Sequence, residues 1–216
     1  MTSFGFLHTA AVHVDTFTAL LDEISPDDRA VHVVDESLLT DARRRGGVDE
    51  DLRRRITTRI GELTAEGAVA ILCTCSTIGG PAEEVGRHGG VAVLRADRPM
   101  ARIAVAGGDR IAIVAALEST IGPTRHLLEE SAGGAGRRVA ITDAPCLEAW
   151  THFEAGDHDR YYASLASHLQ SLDGTFDVIV LAQASMAPVE KLVHLSALVL
   201  SSPRTAVAAL VERDLR

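Results

Sequence analysis

Val69-Ala-Ile-Leu-Cys-Thr-Cys-Ser76 and Val178-Ile-Val-Leu-Ala-Gln-Ala-Ser185 decide the fold of this 216-residue chain. Each is a short aliphatic run ending in small and polar residues, the form of a buried parallel strand entering a loop. The two align without gaps at a spacing of 109 residues, from 69 to 178. Arg29-Ala-Val-His-Val-Val-Asp35 and Arg137-Arg-Val-Ala-Ile-Thr-Asp143 match in the same order at a spacing of 108, from 29 to 137. Two matches in one order point to an internal duplication.

Working outward, short aliphatic runs alternate with longer amphipathic stretches. Strands are expected near Ser3–Leu7, Ala30–Val34, Val69–Thr74, Val91–Leu94, Arg110–Ala115, Arg138–Thr142, Val178–Ala182 and Ala197–Leu200. Helices are expected near Val14–Glu23, Glu50–Glu66, Pro81–Arg87, Met100–Ala106, Ile121–Ser131, Asp159–Leu172, Ala187–Leu195 and Pro203–Asp214, with Pro81, Pro123, Pro188 and Pro203 in first turns. This alternation is that of parallel sheets with crossover helices. The expected class is α/β, with two similar flavodoxin-like lobes, each a four-stranded parallel sheet flanked by helices, and an active site in the cleft between them. Residues 1–98 plus 203–216 form the first lobe and 99–202 the second, with the chain breaking near Gly107-Gly108 and the last helix returning to the first lobe. Gly133-Gly134-Ala135-Gly136 precedes a strand, not a helix, so it reads as a connector and not as a phosphate loop.

Composition narrows the function classes. The apolar fraction is 46%, the charged fraction 24% and the aromatic fraction only 4%, so an aliphatic core is expected. The formal net charge is -9, and no basic stripe suits a nucleic acid. Arg43-Arg44-Arg45 and Arg53-Arg54-Arg55 lie among acidic residues and read as solvated helix faces. No apolar run reaches the ~18 residues of a membrane span. Met1–Thr9 lacks the build of a signal peptide. The cysteines, Cys73, Cys75 and Cys146, suit free thiols in a reducing, cytoplasmic compartment. The expected partner is a small carboxylate substrate, with no nucleic acid and no membrane; a homo-oligomer stays open.

Ligands of open parallel sheets bind beyond the carboxyl ends of the strands. The chemically interesting ends are His8-Thr9, Cys73-Thr-Cys-Ser-Thr77, Glu118-Ser-Thr120 and Gln183-Ala-Ser-Met186. Apart from the thiols they offer mostly hydroxyls and amides beside helix N-termini, which suit a carboxylate. Cys-x-Cys lacks a second ligand pair, so no metal is expected.

The segment Ile71 to Gly79, strand–Cys-Ser-Thr–helix, resembles the first-lobe Cys-Asn-Thr motif of the aspartate/glutamate racemase superfamily. That superfamily includes aspartate, glutamate and hydantoin racemases, maleate isomerases and arylmalonate decarboxylases. Arg110-Ile-Ala-Ile-Val-Ala-Ala-Leu-Glu-Ser-Thr120 resembles the start of its second lobe. The resemblance implies cofactor-free proton transfer at the carbon next to a carboxylate, with one cysteine from each lobe flanking the substrate. Cys75 takes the first position. The second falls at Ala184, or at Gln183 if the strand is shifted by one, and neither moves a proton at neutral pH. A one-thiol enzyme, racemase-like or decarboxylating, is the reading that follows, with a non-catalytic binding protein as its rival.

Under this reading Cys75, Gln183 and His8 are the catalytic candidates. Thr9, Ser76, Thr77, Glu118, Ser119, Thr120, Ala184 and Ser185 are the substrate-binding ones. Each has a plainer alternative. Cys75 and Cys73 could be small buried hydrophobes. His8 is a second acid or base, or a structural residue bonding backbone. Glu118 replaces the missing base or caps its helix, and the serines and threonines bind carboxylate, cap helices, or both. Asp35 and Asp143 read as structural, Trp150 and Phe153 as core or as a roof. Cys146 follows the wrong strand for the missing thiol.

Overall fold

In the computed structural model, which describes residues 1–212, the chain divides into two compact units. One comprises Met1–Arg98 and the segment from Pro203 onward, the other Pro99–Ser202. The first unit carries β1 (Ser3–His8), α1 (His13–Ile24), β2 (Arg29–Val34), α2 (Glu36–Arg45), α3 (Glu50–Ala65), β3 (Ala70–Cys73), α4 (Ser76–Gly89) and β4 (Val93–Arg95). α5 (Asp97–Gly107) leads into the second unit, with β5 (Arg110–Val114), α6 (Glu118–Gly134), β6 (Ala140–Asp143), α7 (Ala149–Glu154), α8 (His158–Ser171) and β7 (Val178–Leu181). A 3-10 helix (Ala184–Lys191), β8 (Leu198–Ser201) and α9 (Pro203–Glu212) follow. The extension of the last helix to Asp214 lies outside the described residues.

The sheets have the orders β2-β1-β3-β4 and β6-β5-β7-β8, every pair parallel. Both are doubly wound. In the first unit Leu7, Ile71 and Cys73 pack with Leu38 of α2 and Ile56 and Leu63 of α3, while Phe6 meets Phe17 of α1 on the opposite face. In the second, Val114, Ile179 and Leu181 pack with Tyr161 and Leu165 of α8, and Ile113, Val178 and Val180 pack with α5 and α6. Each such aliphatic side chain contributes about 1.5–3 kcal/mol on full burial.

The repeat of topology holds, but the residue correspondence differs from the one read in the sequence. Thr74 donates its backbone N–H to Leu7 O, and Ala182 donates to Val114 O at the same place in the second sheet. Thr74 therefore corresponds to Ala182, and Cys75 to Gln183, a spacing of 108 and not 109. Burial agrees. Cys73 and Leu181 face equivalent cores, whereas the gapless alignment would pair Cys73 with Ala182, which packs on the opposite side. Side chains alternate along a strand, so a slip of one residue exchanges the faces. Asp35 N–H bonds His8 O and Cys146 N–H bonds Ala115 O, so Asp35 corresponds to Cys146 and not to Asp143.

Several local expectations are corrected. α4 starts at Ser76 and α6 at Glu118, so Pro81 and Pro123 sit inside helices and not in first turns. Both helices start directly after extended residues, Cys75 (φ -117°, ψ 116°) and Leu117 (φ -122°, ψ 128°). α2 is an element the periodicity left out, although Asp35 caps its start and Gly46 (φ 73°) its end. α7, a single short stretch, was also unread; its Trp150 and Phe153 stack at 4.7 Å against the second core. The expected helix Ala187–Leu195 is instead the earlier 3-10 turn, with Pro188 inside it. Pro203 does begin its helix.

Candidate active site

The order β2-β1-β3-β4 makes the β1 and β3 ends the switch point of the first unit, where doubly wound sheets bind ligands. β1 ends in His8 and continues into Thr9; β3 continues through Thr74 into Cys75. Cys75 is the residue from which α4 springs, and its side chain is half-buried. Burial pushes its thiol pKa up. The Thr9 hydroxyl, the backbone N–H groups of Ile78 and Thr77, and the Thr77 hydroxyl favour the thiolate and hold the rise down. Cys73 is fully buried and its thiol is pushed far up, chiefly by burial. Of the two, Cys75 is the less buried residue and the one surrounded by donors.

His8 is fully buried. Its Nδ1 lies 2.8 Å from Thr74 Oγ1 and its Nε2 2.9 Å from His32 Nδ1, so both ring nitrogens are engaged. Burial first, then His32 and His13, lower its pKa to about 3. A buried neutral ring whose two nitrogens are both engaged within the protein does not meet a substrate, so the geometry suits the structural alternative for His8.

The hydroxyls divide. Thr77 is buried and turned to Cys75. Ser76 points away, its hydroxyl bonding the Asp97 carboxylate. Asp97 is 1% exposed and pairs with Arg95, 3% exposed, through Nε–Oδ1 at 2.6 Å and Nη2–Oδ2 at 2.8 Å. The Arg95 guanidinium lies across the first turn of α4: a Cβ on Gly79 would come within 2.9 Å of Arg95 Cβ. Beside it Glu83 accepts Arg95 N–H at 3.0 Å and Arg98 Nη2 at 2.6 Å. Sequence reading treated this stretch as a lobe boundary and missed the network. The available signal was Arg95-Ala-Asp97 directly after an aliphatic strand, where charge is out of place unless paired.

In the second unit the switch point lies at the ends of β5 and β7. Gln183, in Cys75's place, precedes the 3-10 helix and accepts Ala116 N–H through Oε1 at 2.8 Å. Its Nε2 is buried and has no partner. Ala116 corresponds to Thr9, so each unit joins the same two positions: Thr9 to Cys75, Ala116 to Gln183. Ala184 is buried, and Ser185 Oγ lies 2.9 Å from the Tyr161 hydroxyl. Glu118 is exposed at the start of α6, Ser119 half-buried, and Thr120 buried with its N–H on Leu117 O. Cys146 is buried, bonded to Glu148 Oε1 at 3.3 Å, and pushed up to about 12 by burial and that carboxylate. Among the described residues no group of three or more His, Cys, Asp or Glu is placed to hold a metal, and no helix is long and apolar enough to cross a membrane.

The model of the Asp/Glu/Hydantoin racemase family matches residues 4–210. Among solved structures, the chain is similar to the Picrophilus torridus aspartate racemase, at 14% identity and a TM-score of 0.72 over 99% of this chain and 94% of that one. It is similar to the Thermus thermophilus glutamate racemase in complex with β-chloro-D-alanine, at 18% identity and a TM-score of 0.72, over 99% and 80% of the two chains. It is also similar to the Klebsiella pneumoniae allantoin racemase, at 17% identity and a TM-score of 0.65, over 98% and 87%. At these identities the likeness is one of fold. Among curated proteins no sequence matches significantly.

Proposed function

The chain belongs to the Asp/Glu/Hydantoin racemase family, and from that premise we propose that Cys75 moves a proton to or from the carbon next to the carboxylate of a small substrate, without a cofactor. The observation that carries the reading is the set of donors around the thiol of half-buried Cys75. Thr9, Thr77 and the first N–H groups of α4 all favour the thiolate. A C–H beside a carboxylate is a very weak acid, so the site must also stabilise the enediolate-like carbanion. Fixed hydroxyl and N–H donors perform that task where charge develops. Thr9 and Thr77 are the hydroxyls we assign to it in the first unit. Ser76, Ser185 and Glu118 have weaker claims, the two serines because their hydroxyls are already engaged.

Gln183 favours one-sided chemistry. An amide is neither acid nor base at neutral pH, and its buried Nε2, without a partner, leaves one hydrogen-bond donor to spare in the second unit. A thiol then serves one face of the carbon, which fits protonation of a carbanion formed by loss of CO2 as well as a racemisation with another second base. The test is proton NMR and chiral analysis of amino, hydroxy, hydantoin and malonate-type acids in D2O, with Cys75→Ala alongside. Deuterium at the α-carbon with loss of chirality, abolished in the variant, would establish the racemase. CO2 release with deuterium on a single face would establish the lyase. Activity that survives the substitution, or none on any compound, would remove Cys75 from this role.

A further inference from the structure

Two residue pairs lie side by side where β1 and β3 end. On the α1 side of the sheet, His8 meets Thr74 at 2.8 Å and stacks near Phe6 and His32. On the opposite side the Thr9 hydroxyl meets the Cys75 sulfur, and Cys75 packs against the core of α2, α3 and α4. Consecutive residues of an extended chain point to opposite faces, so pair 8/74 and pair 9/75 are joined only through backbone. Fixing one pair fixes the spacing of the other.

The first pair is anchored from behind. His8 Nε2 lies 2.9 Å from His32 Nδ1, and His32 Nε2 lies 3.0 Å from Thr18 Oγ1. Thr18 donates its hydroxyl proton to Val14 O at 2.8 Å, so it accepts from His32 Nε2–H. His32 Nδ1 then accepts from His8 Nε2–H, and His8 Nδ1 accepts the Thr74 hydroxyl proton. The reversed chain, in which Thr74 gives its proton to Leu7 O at 3.2 Å, requires Thr18 to turn its own proton from Val14 O to His32 Nε2. Either way each imidazole carries one proton and no charge, and the chain ties β3's extension to β1, β2 and α1. An apolar residue at position 8 would leave Thr74 bonded only to the neighbouring strand's backbone.

We propose that His8, backed by His32, is a positioning residue for Cys75, holding Thr74 so that the Thr9 hydroxyl stays on the sulfur across the sheet. Its importance rests on Cys75 being the proton-transfer group, but its readout does not need the reaction. Burial keeps the His8 ring neutral, with His32 and His13 acting in the same direction.

The experiment is alkylation of the full chain with iodoacetamide across pH 6–10, with Cys75 followed by peptide mass spectrometry. Cys73 and Cys146 are fully buried and serve as slow internal controls. Thr9→Val sets the scale: loss of one hydrogen bond to a charged group should slow Cys75 alkylation about tenfold below its pKa. Thr74→Val and His8→Gln should each reproduce most of that loss in an otherwise native background, and add nothing when Thr9 is already Val. Thr74→Ser should restore the rate. A folded Thr74→Val protein with the parent's Cys75 profile would overturn the proposal, as would losses that simply add to that of Thr9→Val. Should His8→Gln fail to fold, the Thr74 variants decide alone. If Cys75 proves not to be the proton-transfer group in the D2O experiment, these rates still stand or fall by themselves.

Discussion

Lowering the pH from 8 to 5 should destabilise this protein through His8. An unfolded histidine has the ordinary value of 6.5, whereas folded His8 is lowered to about 3, first by burial and then by His32 and His13. With a lowered folded pKa, the unfolded state takes up the proton first. Stability is therefore complete above about pH 6.5, falls as the pH drops below it, and levels only near pH 3. At pH 5 the gap amounts to roughly 1.5 pH units, or about 2 kcal/mol at 1.36 kcal/mol per unit. His13, lowered to about 4 by burial, acts in the same sense but is only half-buried, so it adds less. Carboxylates contribute little here, because their ordinary values lie below the window; even Asp177, lowered to about 2 by Arg110, matters only in stronger acid. Urea unfolding followed by circular dichroism at pH 8, 7, 6 and 5 reads the effect, and amide exchange of β1 peptides assigns it to the first unit. Wild type should lose about 2 kcal/mol more than His8→Gln over this range. Equal pH slopes for the two proteins would refute the argument.

Asp97→Asn strips the charge from a pair of which both members are almost completely buried, taking from Arg95 the carboxylate that grips its guanidinium; a loss of about 3–5 kcal/mol in urea unfolding is expected. Asp41→Asn, on the solvated face of α2, should leave the urea midpoint nearly unchanged, because exposed ion pairs contribute little. Gly86→Ala would put a Cβ 2.5 Å from Val93 Cγ2 and 2.8 Å from Val91 O, and the carbonyl cannot rotate away, so about 1–3 kcal/mol should be lost in the same assay. Gln183→Leu removes the acceptor of Ala116 N–H, with an expected loss of about 1–3 kcal/mol, whereas a Gln183→Glu variant keeps an acceptor and should lose less.

Much of the candidate site could be read along the chain. Cys75 stood out because a thiol between an aliphatic strand and a helix start has little structural reason to be there, and Thr9 and Thr77 came with it as neighbours of strand ends. His8 showed only half its nature: a strand-end histidine titrates near neutrality unless something buries it, and what buries it includes Phe17 of α1 and His32 of β2, from two other elements. The Arg95–Asp97–Glu83–Arg98 network escaped because its partners come together only when β4 lies beside β3 and α4 folds over both.

The sequence by itself determined the class of the fold. Strand and helix periods are local, and eight aliphatic runs separated by amphipathic stretches admit few arrangements other than two parallel sheets. It also determined that one thiol stands at a strand end while its counterpart does not. What it could not determine was which residue that counterpart is. Val69–Ser76 and Val178–Ser185 match best at a spacing of 109, because strands of similar composition resemble one another at any offset. Only hydrogen-bond register, Thr74 on Leu7 and Ala182 on Val114, moves the spacing to 108 and puts Gln183 in Cys75's place. Register is a contact between strands far apart in the chain, and a period of two along one strand carries no information about it.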